Sequence, residues 1–239
     1  MSYFGFYIAL LPCLLLSLWA SNKVKTTYAR YDKVPNRLRM TGYEAAKRLL
    51  SLGGVTDISV GRVSGTLSDH YHPTKRVVNL SDATYGSTSV AAVAVAAHEI
   101  GHVMQNKTGY LFYKIRTAIV PVVNIGSRLA FPLVLIGLLM DGYLTYSNGT
   151  GFQVAMVGVI LYGLSFLFTL VTLPVELNAS RRAGQMLKQA GVVTEDEMPG
   201  VRKVLSAAAM TYLASMLTSL VYFLRFAFWV LSMFGRRRD

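Results

Sequence analysis

The chain has 239 residues, 53% of them hydrophobic, and its mean hydropathy of +0.41 excludes an ordinary soluble domain. Its formal net charge of +12 comes from 24 lysines and arginines against 12 aspartates and glutamates. The basic residues form no stripe with interleaved aromatic residues, so the charge does not indicate a nucleic-acid partner. It is typical instead of segments that lie beside an anionic lipid bilayer.

Four apolar stretches predict an integral membrane protein with about four transmembrane helices. They cover residues 2–20, 118–140, 152–173 and 204–234. The first carries no charge, and basic residues follow it from Lys23 onward. We therefore expect a retained anchor, not a cleaved signal, with its amino terminus outside and its carboxyl side in the cytoplasm. The predicted location is the plasma membrane, which the chain crosses several times.

The polar stretch 21–117 is predicted to form a small α+β, zincin-like domain. Thr41-x-x-Glu44 is a capping box that begins a helix over "YEAAKRLLSL". The segments "VTDISVGRV" and "KRVVNLS" are rich in β-branched residues and predict two short strands. Residues 87–89 offer N-cap side chains for a helix over "VAAVAVAAHEIGHVMQ", which should end near residue 106.

The stretch "AAHEIGHVMQ" within this last helix has the spacing of a zinc site. The sequence contains only four histidines, and two of them, His98 and His102, stand four residues apart and share a helix face. Both rings can therefore bind one metal ion. Glu99 lies one position round from that face, where its carboxylate can take a proton from water. Because His-Glu-x-x-His on a helix is typical of zinc metalloproteases, we expect one Zn²⁺ per chain.

Catalytic zinc takes a third protein ligand and keeps a fourth position open, and two acids are candidates. Glu176, in "TLPVELNASRRA", follows the third apolar stretch, and Pro174 is expected to begin the helix that carries it. Glu176 would give a His-His-Glu site at the membrane surface. Asp141, in "LLMDGYL", would give an intramembrane site of the site-2 protease kind. Ligand chemistry and position favour Glu176, and Asp141 stays as the alternative.

These elements predict a division of the chain into five parts. They are an anchor at 1–20, the zincin-like domain with the His-Glu-x-x-His helix at 21–117, two transmembrane helices at 118–173, the helix and loop that carry Glu176 at 174–203, and a membrane helix with a basic tail at 204–239. The basic loops place the metal site in the cytoplasm. Four full crossings would put the tail "RRRD" outside, against the same rule, so a broken or re-entrant last segment is expected.

Five stretches together resemble the bacterial YugP-like membrane zinc metallopeptidases, also called the neutral zinc metallopeptidase family. They are "SDHYHP", "VVNLS", "SVAAVAVAAHEIGHVMQ", "TLPVELNASRRA" and "KVLSAAAMTYLAS". The resemblance covers almost the whole chain. It implies zinc-dependent peptide hydrolysis, with His98, His102 and Glu176 as zinc ligands and Glu99 as the catalytic base.

The resemblance also implies roles for residues around the metal. His70 and Tyr71 are expected to donate hydrogen bonds to the developing oxyanion. At the next position the family pattern has an aspartate, where this chain has His72. Asn178 and Ser180 are expected to orient a zinc-bound histidine, and related zinc peptidases have an aspartate at the position of Ser180.

We therefore predict a predominantly α membrane zinc endopeptidase of the gluzincin type. The expected partners are a polypeptide substrate, including membrane-associated polypeptides, and the lipid bilayer, with no nucleic acid. The alternative from another class is a membrane scaffold that holds zinc for stability alone. Structural zinc sites are often rich in cysteine, whereas the single cysteine, Cys13, lies in an apolar stretch. The scaffold is therefore disfavoured.

Overall fold

The computed structural model describes residues 3–143 and 149–235, and these are mostly helical. Their elements are α1 (Tyr3–Asp32), α2 (Gly42–Leu52), β1 (Ser59–Val63), β2 (His70–His72), β3 (Val77–Ser81), α3 (Asp82–Tyr85), α4 (Val90–Lys107), α5 (Leu111–Tyr143), α6 (Thr150–Gln189) and α7 (Met198–Gly235). The predicted basic tail, residues 236–239, lies outside the described residues.

Three of the described helices are long and apolar enough to cross a membrane. These candidate spans are Leu111–Asp141, Thr150–Gln189 and Met198–Gly235. They contain the second, third and fourth predicted apolar stretches. The first stretch, residues 2–20, falls on α1, which is helical from Tyr3, and a fourth crossing there stays a prediction.

Two features of the long helices differ from the sequence-based expectation. The helix expected to begin at Pro174 does not begin there, because α6 runs through this proline without interruption. A proline removes one backbone donor, and apolar helices tolerate that loss. The break or re-entrant turn expected in 204–234 is also wrong, because α7 is one continuous helix. That stretch contains neither proline nor glycine to interrupt it.

The described chain divides into two compact units. The helical unit consists of residues 3–17, 115–173 and 213–235. The site unit consists of residues 18–114 and 174–212. Each long helix supplies residues to both units. The five-part division made from the sequence remains a prediction.

The site unit contains the sheet and the two helices predicted from local signals. In α2 the capping box is present: Thr41 Oγ1 accepts from the Glu44 amide, and the Glu44 carboxylate accepts from the Thr41 amide. The sheet has the strand order β1-β3-β2, with β1 parallel and β2 antiparallel to β3. β1 and β3 confirm the two strands predicted within "VTDISVGRV" and "KRVVNLS". The third, β2, is not predicted from the sequence.

The core of the site unit surrounds α4, whose Ala-rich and Val-rich first half is buried on nearly all sides. Ser89 caps its start, with Oγ accepting from the Ala92 amide at 3.0 Å. The apolar face of α2 (Ala45, Ala46, Leu49 and Leu50) belongs to the same cluster. This packing positions the middle of α4, which carries His-Glu-x-x-His, within the site unit.

Candidate metal centre

The two motif histidines share one face of α4, as the spacing predicts. Their ring centroids lie 4.8 Å apart with an interplanar angle of 88°. Both side chains are largely buried, with 13% and 11% of their surfaces exposed for His98 and His102 respectively. Two imidazoles one helical turn apart can bind a single ion only if a third ligand approaches from another element.

A glycine lets that other element approach α4 closely. A Cβ built on Gly101 would lie 2.6 Å from the carbonyl oxygen of Ala179, a distance that Cβ atoms do not adopt. Only glycine therefore permits this contact between α4 and the end of α6. Ala179 stands three residues after Glu176, so the contact brings the Glu176 carboxylate towards the histidines.

Glu176 Oε2 lies between the two imidazole rings. It is 3.1 Å from His98 Nε2 and 3.4 Å from His102 Nε2, and Glu176 is only 2% exposed. One ligand atom from each of the three residues lies within 4.8 Å of the others. Two imidazole nitrogens and one carboxylate oxygen are a donor set that zinc accepts. The convergence of these three residues therefore fits a zinc ion.

The alternative third ligand is not part of this group. Asp141 belongs to the helical unit, where its Oδ1 accepts a hydrogen bond of 3.1 Å from the Gly151 amide. Among the residues that the structure describes, the single group of His, Cys, Asp and Glu able to hold a metal is His98, His102 and Glu176. The described residues therefore favour Glu176 over Asp141 as the third ligand.

The other ring nitrogen of each histidine faces a polar side chain. Ser180 Oγ lies 3.2 Å from His98 Nδ1, and Gln105 Oε1 lies 3.0 Å from His102 Nδ1. Hydrogen bonds of this kind fix the tautomer and orientation of metal-binding histidines. They leave both Nε2 atoms for the ion. A role of Ser180 in orienting a zinc-bound histidine stays a prediction.

Gln105 is the site residue that the sequence analysis missed. Its Nε2 donates to the Val175 carbonyl at 2.7 Å and to Asn178 Oδ1 at 3.1 Å. Asn178 Oδ1 also accepts from Arg182 Nε at 2.8 Å. Asn178 therefore reaches His102 only through Gln105. The available signal was position: Gln105 follows His102 by three residues on the same helix.

The electrostatic surroundings favour the protonated form of His102 in the metal-free protein. Burial by itself lowers the pKa of this histidine. The hydrogen bond with Glu176 and the charges of Glu99 and Glu176 outweigh burial and raise the pKa above its ordinary value. Glu99 itself is buried, at 7% exposure. The negative charges that favour a proton on His102 also favour a metal cation at the same position.

The two residues expected to contact the oxyanion lie on β2 in different environments. His70 is exposed: its Nε2 lies 3.0 Å from Asn79 Nδ2, and its Nδ1 lies 2.9 Å from the Ser68 carbonyl. Tyr71 is partly buried, and its hydroxyl accepts from Asn106 Nδ2 at 3.1 Å. Because Asn106 follows His102 by four residues, it continues the metal-binding face of α4.

His72 has a local structural contact at the end of β2. Its Nδ1 accepts a hydrogen bond of 3.3 Å from the Lys75 amide in the turn between β2 and β3. An aspartate, the residue in the family pattern at this position, can make the same kind of bond. The departure from that pattern is therefore compatible with the same turn.

Comparison with known proteins identifies the family of this chain. The family described as "putative neutral zinc metallopeptidase" matches residues 6–231. The chain is also 43% identical over 221 residues to the "putative membrane protease YugP" of Bacillus subtilis (strain 168), covering 92% of this chain and 94% of that relative. No solved structure is significantly similar. The chain belongs to the neutral zinc metallopeptidase family.

Proposed function

Starting from this family membership, we propose that the protein is a membrane-embedded, zinc-dependent endopeptidase of the gluzincin type. One Zn²⁺ would be held by His98, His102 and Glu176. The observation that carries the proposal is the convergence of both Nε2 atoms on Glu176 Oε2, next to a buried Glu99. The two histidines come from α4 and the glutamate from α6, which supports the gluzincin type.

Glu99 is the proposed general base. It follows His98 directly on α4, is buried, and interacts electrostatically with His102. A zinc ion at this position would polarise the scissile carbonyl and lower the pKa of a water molecule. Glu99 would accept a proton from the attacking water and later deliver it to the leaving amine. Its burial on the helix that carries both histidines supports this role.

Ser180 and Gln105 are proposed to hold the ligands in place during the reaction. Each contacts the Nδ1 atom of one histidine. Tyr71 is proposed to donate to the oxygen that gains negative charge, since its hydroxyl lies beside the continued metal-binding face of α4. His70 was expected to share this role. Its exposed position and its bonds to Ser68 and Asn79 support a role in the hairpin instead.

The proposed substrates are polypeptides at or near the membrane, and the proposed setting is the cytoplasmic face of the plasma membrane. Three apolar helices of spanning length support the membrane setting. The charge of +12 supports the orientation, because the basic residues concentrate in the segments that precede α5 and follow Pro174. A purely structural zinc site would normally have four protein ligands. The described group offers three, which favours an open catalytic position.

The first test is the zinc content of detergent-purified protein, compared among wild type, Glu176→Ala and Asp141→Ala. We expect about one zinc per chain in wild type and in Asp141→Ala, and loss of zinc in Glu176→Ala. Glu99→Gln should retain zinc and lose cleavage of a denatured, labelled casein. Absence of zinc from reconstituted wild type, or wild-type cleavage by Glu99→Gln, would overturn the proposal.

A further inference from the structure

The helical unit carries an arginine near the middle of a candidate membrane span. Arg128 lies on α5 with its side chain exposed. Close contacts between α5 and α6 flank it at Gly126–Leu161 and Ala130–Gly158. Leu161 and Gly158 belong to the middle part of the apolar stretch 152–173. Arg128 therefore lies near the middle of the apolar layer, by which we mean the thickness of membrane that the stretch 152–173 would span.

The side chain cannot reach the ends of that layer. From the level of residue 160, the ends of the stretch 152–173 are about 12 and 20 Å away at 1.5 Å per residue. An extended arginine side chain of six bonds, each ~1.5 Å long, spans about 7 Å. Snorkelling to lipid phosphates therefore does not account for Arg128. Ionisable groups at this depth are costly and normally have a functional partner.

The described part of the helical unit does not provide that partner. Its ionisable carboxylate is Asp141, which accepts from the Gly151 amide. Asp141 lies 13 residues from Arg128 on the same helix, a separation of about 20 Å. The other charged residues described in this unit are Arg116 and Arg225, which would repel a guanidinium. Among the described residues of the unit, none offers a carboxylate at the level of Arg128, so we look for the matching carboxylate on another chain.

The surface around Arg128 has the other features of a helix-docking face. Asn124 stands four residues before Arg128, on the same side of α5, and is also exposed. Ile125 and Phe131, exposed at 62% and 59%, provide apolar area beside this polar pair. A carboxamide and a guanidinium on an otherwise apolar helix are groups that hold a second helix through hydrogen bonds within a membrane.

We propose that the exposed face of α5 around Arg128 docks a membrane-spanning helix of another protein that carries a carboxylate near its middle. A second copy of this chain does not fit, because a symmetric contact would place Arg128 against Arg128. The only described carboxylate of a second copy's helical unit, Asp141, lies at a different level. This inference does not depend on zinc or on peptidase activity, so the two proposals can fail separately.

The test uses the full chain in lipid nanodiscs, with Glu99→Gln as background so that no peptide is cleaved. The probe is a synthetic Leu/Ala helix of about 20 residues with one central glutamate, and the matched probe has leucine there. Binding is measured by energy transfer at mildly alkaline pH. We expect the glutamate peptide to bind roughly three- to twentyfold more tightly than the leucine peptide, the range of interhelical hydrogen bonds in membranes.

Substitutions identify the group responsible. Arg128→Leu should abolish the preference for glutamate, and Arg128→Lys should retain most of it. In Arg128→Glu the preference should reverse in favour of a peptide with a central lysine. Arg116→Leu removes a positive charge near the start of the same helix and should leave the preference unchanged.

Three results would overturn the inference. The first is equal binding of the glutamate and leucine peptides to the protein with Arg128. The second is a preference for glutamate that survives in Arg128→Leu. The third is energy transfer between labelled copies of the chain, without any peptide, that disappears in Arg128→Leu. That third result would identify a second copy as the occupant of this face.

Discussion

His102 Nδ1 lies 3.0 Å from Gln105 Oε1, and the other hydrogen bonds of Gln105 determine which atom donates. Gln105 Nε2 donates to the Val175 carbonyl and to Asn178 Oδ1. An amide nitrogen can only donate, so the atom that faces His102 is the oxygen. Nδ1 of the neutral histidine therefore carries the proton, and the Nε2 lone pair faces Glu176 and the metal position.

Replacing Gln105 by leucine should weaken metal binding without touching a ligand. The imidazole of His102 would lose the acceptor that fixes its tautomer, and the Val175 carbonyl and Asn178 would lose a donor. Removal of such a partner typically lowers metal affinity by roughly 10- to 100-fold. Competition with a zinc-binding dye measures the affinity, and the visible spectrum of the Co²⁺-substituted protein reports the altered geometry.

Asn36→Leu is the matched control for Gln105→Leu. Asn36 is 1% exposed, and its Nδ2 donates to the Met40 and Thr88 carbonyls at 2.7 and 2.6 Å, away from the metal centre. This variant should lower the free energy of unfolding and leave zinc affinity unchanged. If both variants weaken zinc binding equally, loss of stability alone explains the effect and Gln105 has no positioning role.

Gly101→Ala should separate the two helices that carry the ligands. The added methyl group would lie 2.6 Å from the Ala179 carbonyl oxygen, so the backbone of α4 or α6 has to move. Overpacking of this kind typically costs about 1–3 kcal/mol of unfolding free energy. The movement also displaces Glu176 from the histidines. We therefore expect lower thermal stability together with lower zinc affinity.

Gly184→Ala is the control for that substitution. Gly184 lies within α6, and the nearest atom to an added Cβ is Met198 Cε at 3.7 Å, an ordinary contact. Alanine has the higher helix propensity, so this variant should gain about 0.5–1 kcal/mol. Wild-type stability and zinc binding in Gly101→Ala would show that the close contact with Ala179 is not needed.

Zinc affinity should increase with pH because His102 must lose a proton to bind the ion. Burial lowers the pKa of His102, but the hydrogen bond with Glu176 and the charges of Glu99 and Glu176 raise it above 6.5 overall. In the metal-free protein the protonated ring therefore stabilises the fold fully below pH 6.5. That contribution is lost as pH rises through the raised pKa of the folded state.

Below that raised pKa, apparent zinc affinity should fall by about tenfold per pH unit for this one proton. Chelator competition over a pH series measures the slope. His70→Gln is the control, because this exposed histidine lies outside the ligand group and should leave the slope unchanged. A zinc affinity that does not vary with pH on the acid side of neutrality would contradict the raised pKa.

Local signals in the sequence were sufficient for the elements whose stability is local. The capping box at Thr41 predicts α2, the N-cap candidates at 87–89 predict the start of α4, and His-Glu-x-x-His predicts two of the ligands. Pro174 misleads because a proline is a start signal in isolation, whereas the long apolar helix around it tolerates one lost hydrogen bond.

Contacts between distant residues could not be predicted in the same way. Gln105 and Asn178 are separated by 73 positions in sequence, and their hydrogen bond forms where α6 approaches α4 closely at Gly101. β2 is three residues long, and it is a strand only because β3 supplies its hydrogen-bonding partner. Helical spacing places Gln105 beside His102, but its partners Val175 and Asn178 cannot be identified until the facing helix is known.

Tyr71 should contribute to catalysis and His70 should not. The Tyr71 hydroxyl accepts from Asn106, so its own proton remains able to donate to a substrate oxygen. Asn106 lies one turn beyond His102 on α4, which places this donor beside the metal-binding face. Both ring nitrogens of His70 are engaged within the hairpin. The two neighbours on β2 therefore make a matched pair for substitution.

Tyr71→Phe should lower kcat by roughly 10²-fold, the usual effect of removing one oxyanion donor, and leave KM and zinc content close to wild type. His70→Gln should keep a kcat close to wild type. Both kcat values are measured by steady-state cleavage of a labelled peptide whose sequence spans a site that the wild type cleaves in casein. A wild-type kcat in Tyr71→Phe would exclude the donor role. A decrease accompanied by loss of zinc would show that the hydroxyl supports the fold of the site and takes no part in the reaction.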